Sequence, residues 1–254
     1  MRPFRILVLG VLAAIVLSSP AAAITFGHPD GTDHPNVGAF IVLGSGGQRF
    51  AICSGTLISP TVFLTASHCT TGLDDQDVYV SFDEVIDASA TLHHGTAHTN
   101  PLYVPAGHQS DPHDVAVIVL DQPVTGITPA TLPSAGALDG LGLKDQRFDA
   151  VGYGAVRDEK TKGASSLGDG GSRLETEQGF RSLTKAWLNL SMNPSVGSGG
   201  TCYGDSGGPH FLAGTDTVMA ITVTGDAWCR STDVDYRVDT DESRAFLSEF
   251  VAVP

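Results

Sequence analysis

The 254-residue chain is predicted to be an all-β protein that ends in one α-helix, and three observations carry that expectation. Short β-rich runs recur along it at 37–43, 61–65, 78–82, 115–120, 148–152, 186–192 and 218–224, separated by Gly, Pro, Asn and Asp. Such spacing reads as a sandwich or a barrel, and no alternation of strands with helices suggests a parallel sheet. Only the last segment repeats apolar residues at helical spacing. With 41% apolar and 17% charged residues, the chain has the composition of a globular core rather than of a disordered one.

Taken in order, residues 1–23 stand apart. Arg2 and Arg5 precede the apolar run 6–17, and Ser18, Ser19, Pro20, Ala21, Ala22 and Ala23 follow it. That is the pattern of a secretory signal peptide, too short to cross a bilayer, so the expected product is secreted, begins at Ile24 and has no membrane association. The run 115–120 (Val-Ala-Val-Ile-Val-Leu) is apolar throughout, as in a strand covered on both faces. Residues 158–179 are polar and Gly-rich, which predicts an exposed loop. At the C-terminus Thr240 can cap a helix whose first turn holds Asp241 and Glu242, with Ser243, Phe246, Leu247, Phe250 and Val251 on one face.

Charge and cysteines narrow the function. The formal charge is −14, with 28 acidic against 14 basic side chains, so a phosphate backbone is repelled and a nucleic-acid partner is not expected. All four Cys lie beyond residue 23, where an exported chain meets oxidising conditions, and their even number suggests two bridges with three possible connectivities. Cys53 and Cys69 are too far apart in sequence for the close pairing of a zinc or redox motif, and neither a metal nor a cofactor is expected.

Three segments bear chemistry. Residues 199–209 read Gly-Gly-Thr-Cys-Tyr-Gly-Asp-Ser-Gly-Gly-Pro: Ser206 is flanked by glycines that let backbone approach a carbonyl, and the amides of Gly204 and Ser206 could converge on a developing oxyanion. Residues 53–69 end an apolar strand with Thr-Ala-Ser-His-Cys, placing His68 where a bridge between Cys69 and Cys53 would hold a general base rigid. In the third segment, Asp114 opens the apolar run 115–120, a costly place for a carboxylate unless it is hydrogen-bonded, and orienting an imidazole is one such use.

With these motifs in the order His68, Asp114, Ser206, the chain resembles the trypsin-like (chymotrypsin-fold) serine proteases, secreted bacterial members in particular. The resemblance spans Ile24 to the terminal helix. It implies two antiparallel six-stranded β-barrels, one over 24–130 and one over 131–254 with the helix, forming one monomeric peptidase domain that acts on polypeptides. It further implies His68 as general base, Asp114 as its orienting partner, Ser206 as nucleophile, and Gly204 and Ser206 as oxyanion donors. It pairs Cys53 with Cys69 and Cys202 with Cys229, and sets a freed Ile24 amine against Asp205. An α/β-hydrolase order fails, because the only His after Ser206 is His210, four residues on. A subtilisin-like order starting from Asp30 or Asp33 conflicts with the β-rich rhythm.

Departures from the family pattern concern specificity. Where relatives read Ser-Trp-Gly beside the substrate, this chain has Val223, Thr224 and Gly225. Six residues before Ser206, where a basic-specific enzyme carries Asp, stands Gly200; a pocket floored by Gly200 and Thr201 is neutral, unless Asp233 or Asp235 projects into it. The acidic run 74–77 invites comparison with a calcium loop, but such runs are usually solvated. His93, His94, His98 and His108 are read as surface loop residues, and Asn189 begins a glycosylation sequon inside a predicted strand. The competing functions are a non-catalytic binding module on the same fold and an esterase.

Overall fold

A computed structural model describes residues 24–74, 76–105, 110–157, 167–168 and 170–254, so the expected signal peptide and His108 lie outside the described residues. After a two-residue strand β1 (His28–Pro29), six strands close the first barrel: β2 (Val37–Leu43), β3 (Arg49–Ser59), β4 (Val62–Thr65), β5 (Val78–Ser81), β6 (His93–Thr99) and β7 (Ala116–Leu120). They neighbour one another in the order β2-β3-β4-β7-β6-β5, and β5 pairs back onto β2. The apolar β7 is buried except at half-buried Val119, so a run with no polar face has its burial on both sides.

The second barrel is built from β8 (Arg147–Gly152), β11 (Leu174–Leu183), β12 (Trp187–Ser191), β13 (Pro209–Leu212), β14 (Val218–Gly225) and β15 (Thr232–Arg237), and between β8 and β11 the chain forms a separate two-stranded sheet of β9 (Val156–Arg157) and β10 (Leu167–Gly168). The sheet order β11-β12-β15-β14-β13-β8 is closed by β8 pairing with β11, and β1 lies on the outer side of β11. Both barrels are antiparallel, six-stranded and closed, so the barrel strands themselves are paired on both sides. The predicted all-β class is the one observed.

Several elements depart from the sequence reading. Residues 174–179, expected in a loop, belong to β11, whose inward positions are Leu174, Thr176 and Gln178. The alternation there is polar, so hydrophobic patterning passes over it. His93, His94 and His98, expected in loops, lie on β6, a strand held by its ladders to β5 and β7 rather than by apolar composition.

Arg173 and the terminal helix are among the ties that fasten the barrels together. Arg173, buried, donates from Nε to Asp30 Oδ2 (2.6 Å), from Nη1 to Phe82 O (2.9 Å) and from Nη2 to Gly31 O (2.7 Å), so it links the N-terminal segment, the first barrel and the entry to β11. The terminal helix (Asp241–Leu247) is capped by Thr240, whose hydroxyl accepts from Ser243 N (3.2 Å), and it buries Phe246 and Leu247. Beyond it the Phe250 ring lies 5.2 Å from that of His98 on β6. The chain's end therefore docks on the first barrel.

Candidate active site

The cleft between the barrels is assembled from strand ends. Strand β4 pairs with β7 so that Thr65 faces Ala116. This register places a short helical turn after β4, residues Ser67–Thr70, beside the residue that enters β7. His68 sits on that turn and Asp114 precedes β7. Asp114 Oδ1 accepts from the His68 backbone N–H at 2.9 Å, and Oδ2 lies 2.9 Å from His68 Nδ1. Asp114 is buried at 3% exposure whereas the His68 side chain is 29% exposed, so the carboxylate is hidden and the ring reaches the cleft. Left-handed His113 (φ 56°) turns the chain just before Asp114.

Ser206 comes from the opposite wall. Its carbonyl accepts from Ser54 N (2.8 Å), and the neighbouring Gly207 N donates to Thr222 O (2.8 Å). Gly207 has φ +78°, and a Cβ there would sit 2.2 Å from Thr65 Oγ1 and 2.8 Å from Ala66 N. Only glycine lets this loop lie against the segment that leads into His68. Gly204 is also left-handed (φ +99°), and its carbonyl accepts from Ser54 Oγ at 3.0 Å. Among the described residues, neither the Gly204 nor the Ser206 amide donates within the protein, and no hydrogen bond joins His68 to the Ser206 hydroxyl. Disulfides join Cys53 to Cys69 under the His68 turn and Cys202 to Cys229 across the neighbouring pocket.

That pocket, about 230 Å³, is lined by Ser206, Thr201, Tyr203, Thr222 and the segment from Val223 to Ala227. Tyr203, Asp226 and Ala227 were not anticipated from sequence. Asp226 Oδ1 accepts from Ser231 N (2.6 Å) and Thr232 N (3.0 Å), so its charge is engaged in shaping its own loop. Gly200 is not among the lining residues: it exchanges backbone bonds with Thr25 (2.8 and 2.9 Å), and a Cβ would strike Met192 at 2.2 Å.

Asp233 and Asp235 do not project into the pocket. Both are fully buried behind it, because inward positions on β15 point to the barrel interior. Asp233 accepts from Thr201 Oγ1 (2.7 Å) and Gln178 Nε2 (2.9 Å). Asp235 Oδ1 lies 2.8 Å from His210 Nε2, a charge contact rather than an aligned hydrogen bond, and neither Asp235 oxygen accepts one. His210 Nε2 is also 3.0 Å from Thr222 Oγ1. Burial, reinforced by the charge of Asp233, pushes the Asp235 carboxyl well above its usual range. For His210, burial acts to lower the pKa, but the charge and contact of Asp235 outweigh it and the net direction is up. Sequence reading missed this cluster; the signal was the pair of acids spaced by two on a β-rich run with a His two residues beyond Gly208.

Asp205 is likewise buried, with Oδ1 accepting from Gly154 N and Oδ2 from Cys202 N, each at 2.8 Å. Desolvation pushes its carboxyl up to about 7, against the opposing pull of those two amides. Ile24 is buried at 1% exposure, packed with Val156 and Leu174, and Thr25 makes the backbone exchange with Gly200 described above.

Among the described residues, three groups each bring three potential metal-ligand atoms within 4.8 Å of one another: His210, Asp233 and Asp235; Asp30, His34 and Glu175; and His68 with Cys53 and Cys69, whose sulfurs are tied up in their disulfide. The acidic run 74–77 is partly engaged by neighbouring groups: Asp74 Oδ1 accepts from Thr99 N (3.2 Å), and Asp77 lies 2.9 Å from His94, which also contacts Asp121 at 2.6 Å. Asp75 lies outside the described residues.

Comparison with known proteins agrees with this architecture. The trypsin family model matches residues 29–244. A trypsin of Saccharopolyspora erythraea is 28% identical over 204 residues, covering 78% of this chain and 84% of that protein. Among solved structures, one of HL collagenase superposes with TM-score 0.68 at 18% identity, over 89% of this chain and 98% of that one. A structure of GrC gives TM-score 0.65 at 16% identity with the same coverage of both chains. Two closed barrels, a cleft between them and a family match over most of the sequence lead to one conclusion: the chain belongs to the trypsin family.

Proposed function

We propose that this protease-family chain is a secreted serine endopeptidase using Ser206, His68 and Asp114. The observation that carries the reading is the pairing of both Asp114 oxygens with His68, one on the backbone and one on Nδ1, while the Ser206 carbonyl lies 3.8 Å from Sγ of Cys69, the residue after His68. With Nδ1–H donated to Asp114, the other ring nitrogen Nε2 is left as a base. It takes the Ser206 proton as Oγ attacks the scissile carbonyl carbon. The carbonyl oxygen, now negative, is received by the Gly204 and Ser206 amides, which have no other acceptor to give up. Collapse of the tetrahedral adduct breaks the C–N bond, the imidazolium returns its proton to the leaving amine, and an acyl-enzyme remains. Water then repeats the sequence to release the acid and restore Ser206.

No cofactor enters these steps. Because Asp233 and Asp235 are enclosed and Asp226 is engaged by its own loop, the pocket is proposed to prefer a small or uncharged side chain. The protein is proposed to act as a monomer, after removal of residues 1–23. A serine-directed phosphonate tests the reading: stoichiometric labelling lost on Ser206→Ala is expected, together with cleavage of unfolded protein. Absence of labelling in protein that begins at Ile24 would leave a binding module, and turnover of esters without peptides would leave an esterase.

A further inference from the structure

We infer that an open basic groove on the second barrel docks an acidic segment of the polypeptide substrate. Of the 14 Lys and Arg in this chain of charge −14, four (Lys144, Arg147, Arg181 and Arg230) line a single concavity of about 850 Å³. Gathering like charges on a surface is unfavourable unless something opposite answers them. Among the described lining residues these four cations face a single acid, Asp145; Arg147 Nε is also 3.2 Å from Glu177 Oε1, and Arg230 has a partner of its own within the protein. The cations come from separate places in the sequence. Lys144 lies in the turn Leu143–Asp145, Arg147 opens β8, Arg181 is near the end of β11, and Arg230 follows Cys229. Their convergence is thus a product of the fold and not of a basic run.

The groove is connected to the candidate active site. Arg181 Nη1 donates to Ser231 O at 3.2 Å and to the Thr232 hydroxyl, which fixes one face of the loop 226–232. The other face of that loop supplies Asp226, Ala227 and Cys229 to the pocket beside Ser206. One loop therefore serves both sites, and a polypeptide held in the groove is tethered next to the cleft. Arginine forks suit carboxylates through paired N–H donors, and Asn193 and Ser198 add neutral hydrogen-bonding groups to the lining. A long uniform polyanion meets repulsion from the acidic remainder of the surface, whereas a short acidic segment feels mainly the local field. The chemistry selected is a few consecutive Asp or Glu on a protein chain.

The inference rests on the peptidase reading only in making the ligand a substrate, and two separate readouts keep the two apart. Binding of fluorescent octaglutamate is followed by anisotropy, with phosphonate labelling and turnover of a short uncharged peptide measured in parallel. Wild-type protein is expected to bind octaglutamate at low salt and to release it near 1 M salt, where the screening length is about 3 Å. Lys144→Glu and Arg230→Glu together are expected to weaken binding about tenfold and to raise KM for an acidic unfolded protein similarly, with labelling unchanged. Equal binding by wild type and the double variant overturns the inference, as does binding of a sulfated polysaccharide without octaglutamate. If octaglutamate binds in this salt- and charge-dependent way while phosphonate fails to label, the groove stands and the peptidase reading falls.

Discussion

Asp114 divides its two oxygens between His68 N–H and His68 Nδ1, each at 2.9 Å, from a site of 3% exposure. A carboxylate so placed fixes the ring's orientation, and in the proposed mechanism its charge answers the imidazolium. Asp114→Asn keeps the size but offers one acceptor and an N–H₂, so one of the two His68 contacts becomes donor against donor. The expected result is a fall in kcat of about 10⁴-fold with KM nearly unchanged, and a parallel loss in the rate of phosphonate labelling. Labelling at the wild-type rate would remove Asp114 from the mechanism. The proposed site residues His68, Asp114 and Ser206 stand out in the sequence because each sits in a short motif with its structural support beside it: a Cys, an apolar strand, a glycine. The direction of Asp233 and Asp235 stays open in the sequence because it depends on pairing with β14, where Asp235 faces Thr222 across a strand with an irregular register. Cross-strand register of that kind leaves no trace in local composition.

Strands with apolar runs, such as β2, β7 and β14, could be read directly, since burial on one or both faces writes itself into residue type. Strands β6, β11 and β15 could not, because they place His, Thr, Gln and Asp inward and owe their conformation to neighbours. The polar start of β11 matters to stability through Arg173 beside it. Asp30 Oδ1 lies 2.6 Å from His34 Nδ1 and Oδ2 is 2.6 Å from Arg173 Nε, and the carboxyl is held below its usual range by those two partners against the opposing effect of burial. Removing the guanidinium in Arg173→Ala leaves that buried carboxylate with His34 alone and orphans the carbonyls of Gly31 and Phe82. A loss of about 3–5 kcal/mol is expected in urea unfolding, the range for breaking one side of a buried pair. Restoring part of it with Asp30→Asn in the same chain would show that the stranded charge is the cause; no recovery would assign the loss to packing alone.

Across the whole molecule, the proposed cleavage before Ile24 joins chain processing, backbone geometry and proton binding. In the intact chain Ile24 has φ +59°, a conformation that a β-branched residue adopts only under strain. That torsion is defined by the peptide bond that cleavage removes, so a free amine at residue 24 relieves the strain and places a positive charge in a buried segment. Asp205 is proposed to meet it. Without the amine, the folded-state pKa of Asp205 is about 7, raised from 3.8. The stabilising contribution of its bound proton is whole below the ordinary value and is lost as pH rises through about 7. With an ammonium beside it the carboxylate is the favoured form, and that loss is cancelled until the amine itself deprotonates near pH 8. The melting temperature of cleaved protein should therefore exceed that of uncleaved protein by a margin that widens between about pH 5 and pH 7.5 and narrows above about pH 9. Calorimetry in a Ser206→Ala background, free of self-digestion, reads this margin. Asp205→Asn should flatten its pH dependence, and a margin that ignores pH in the parent chain would mean that the freed amine finds a different partner.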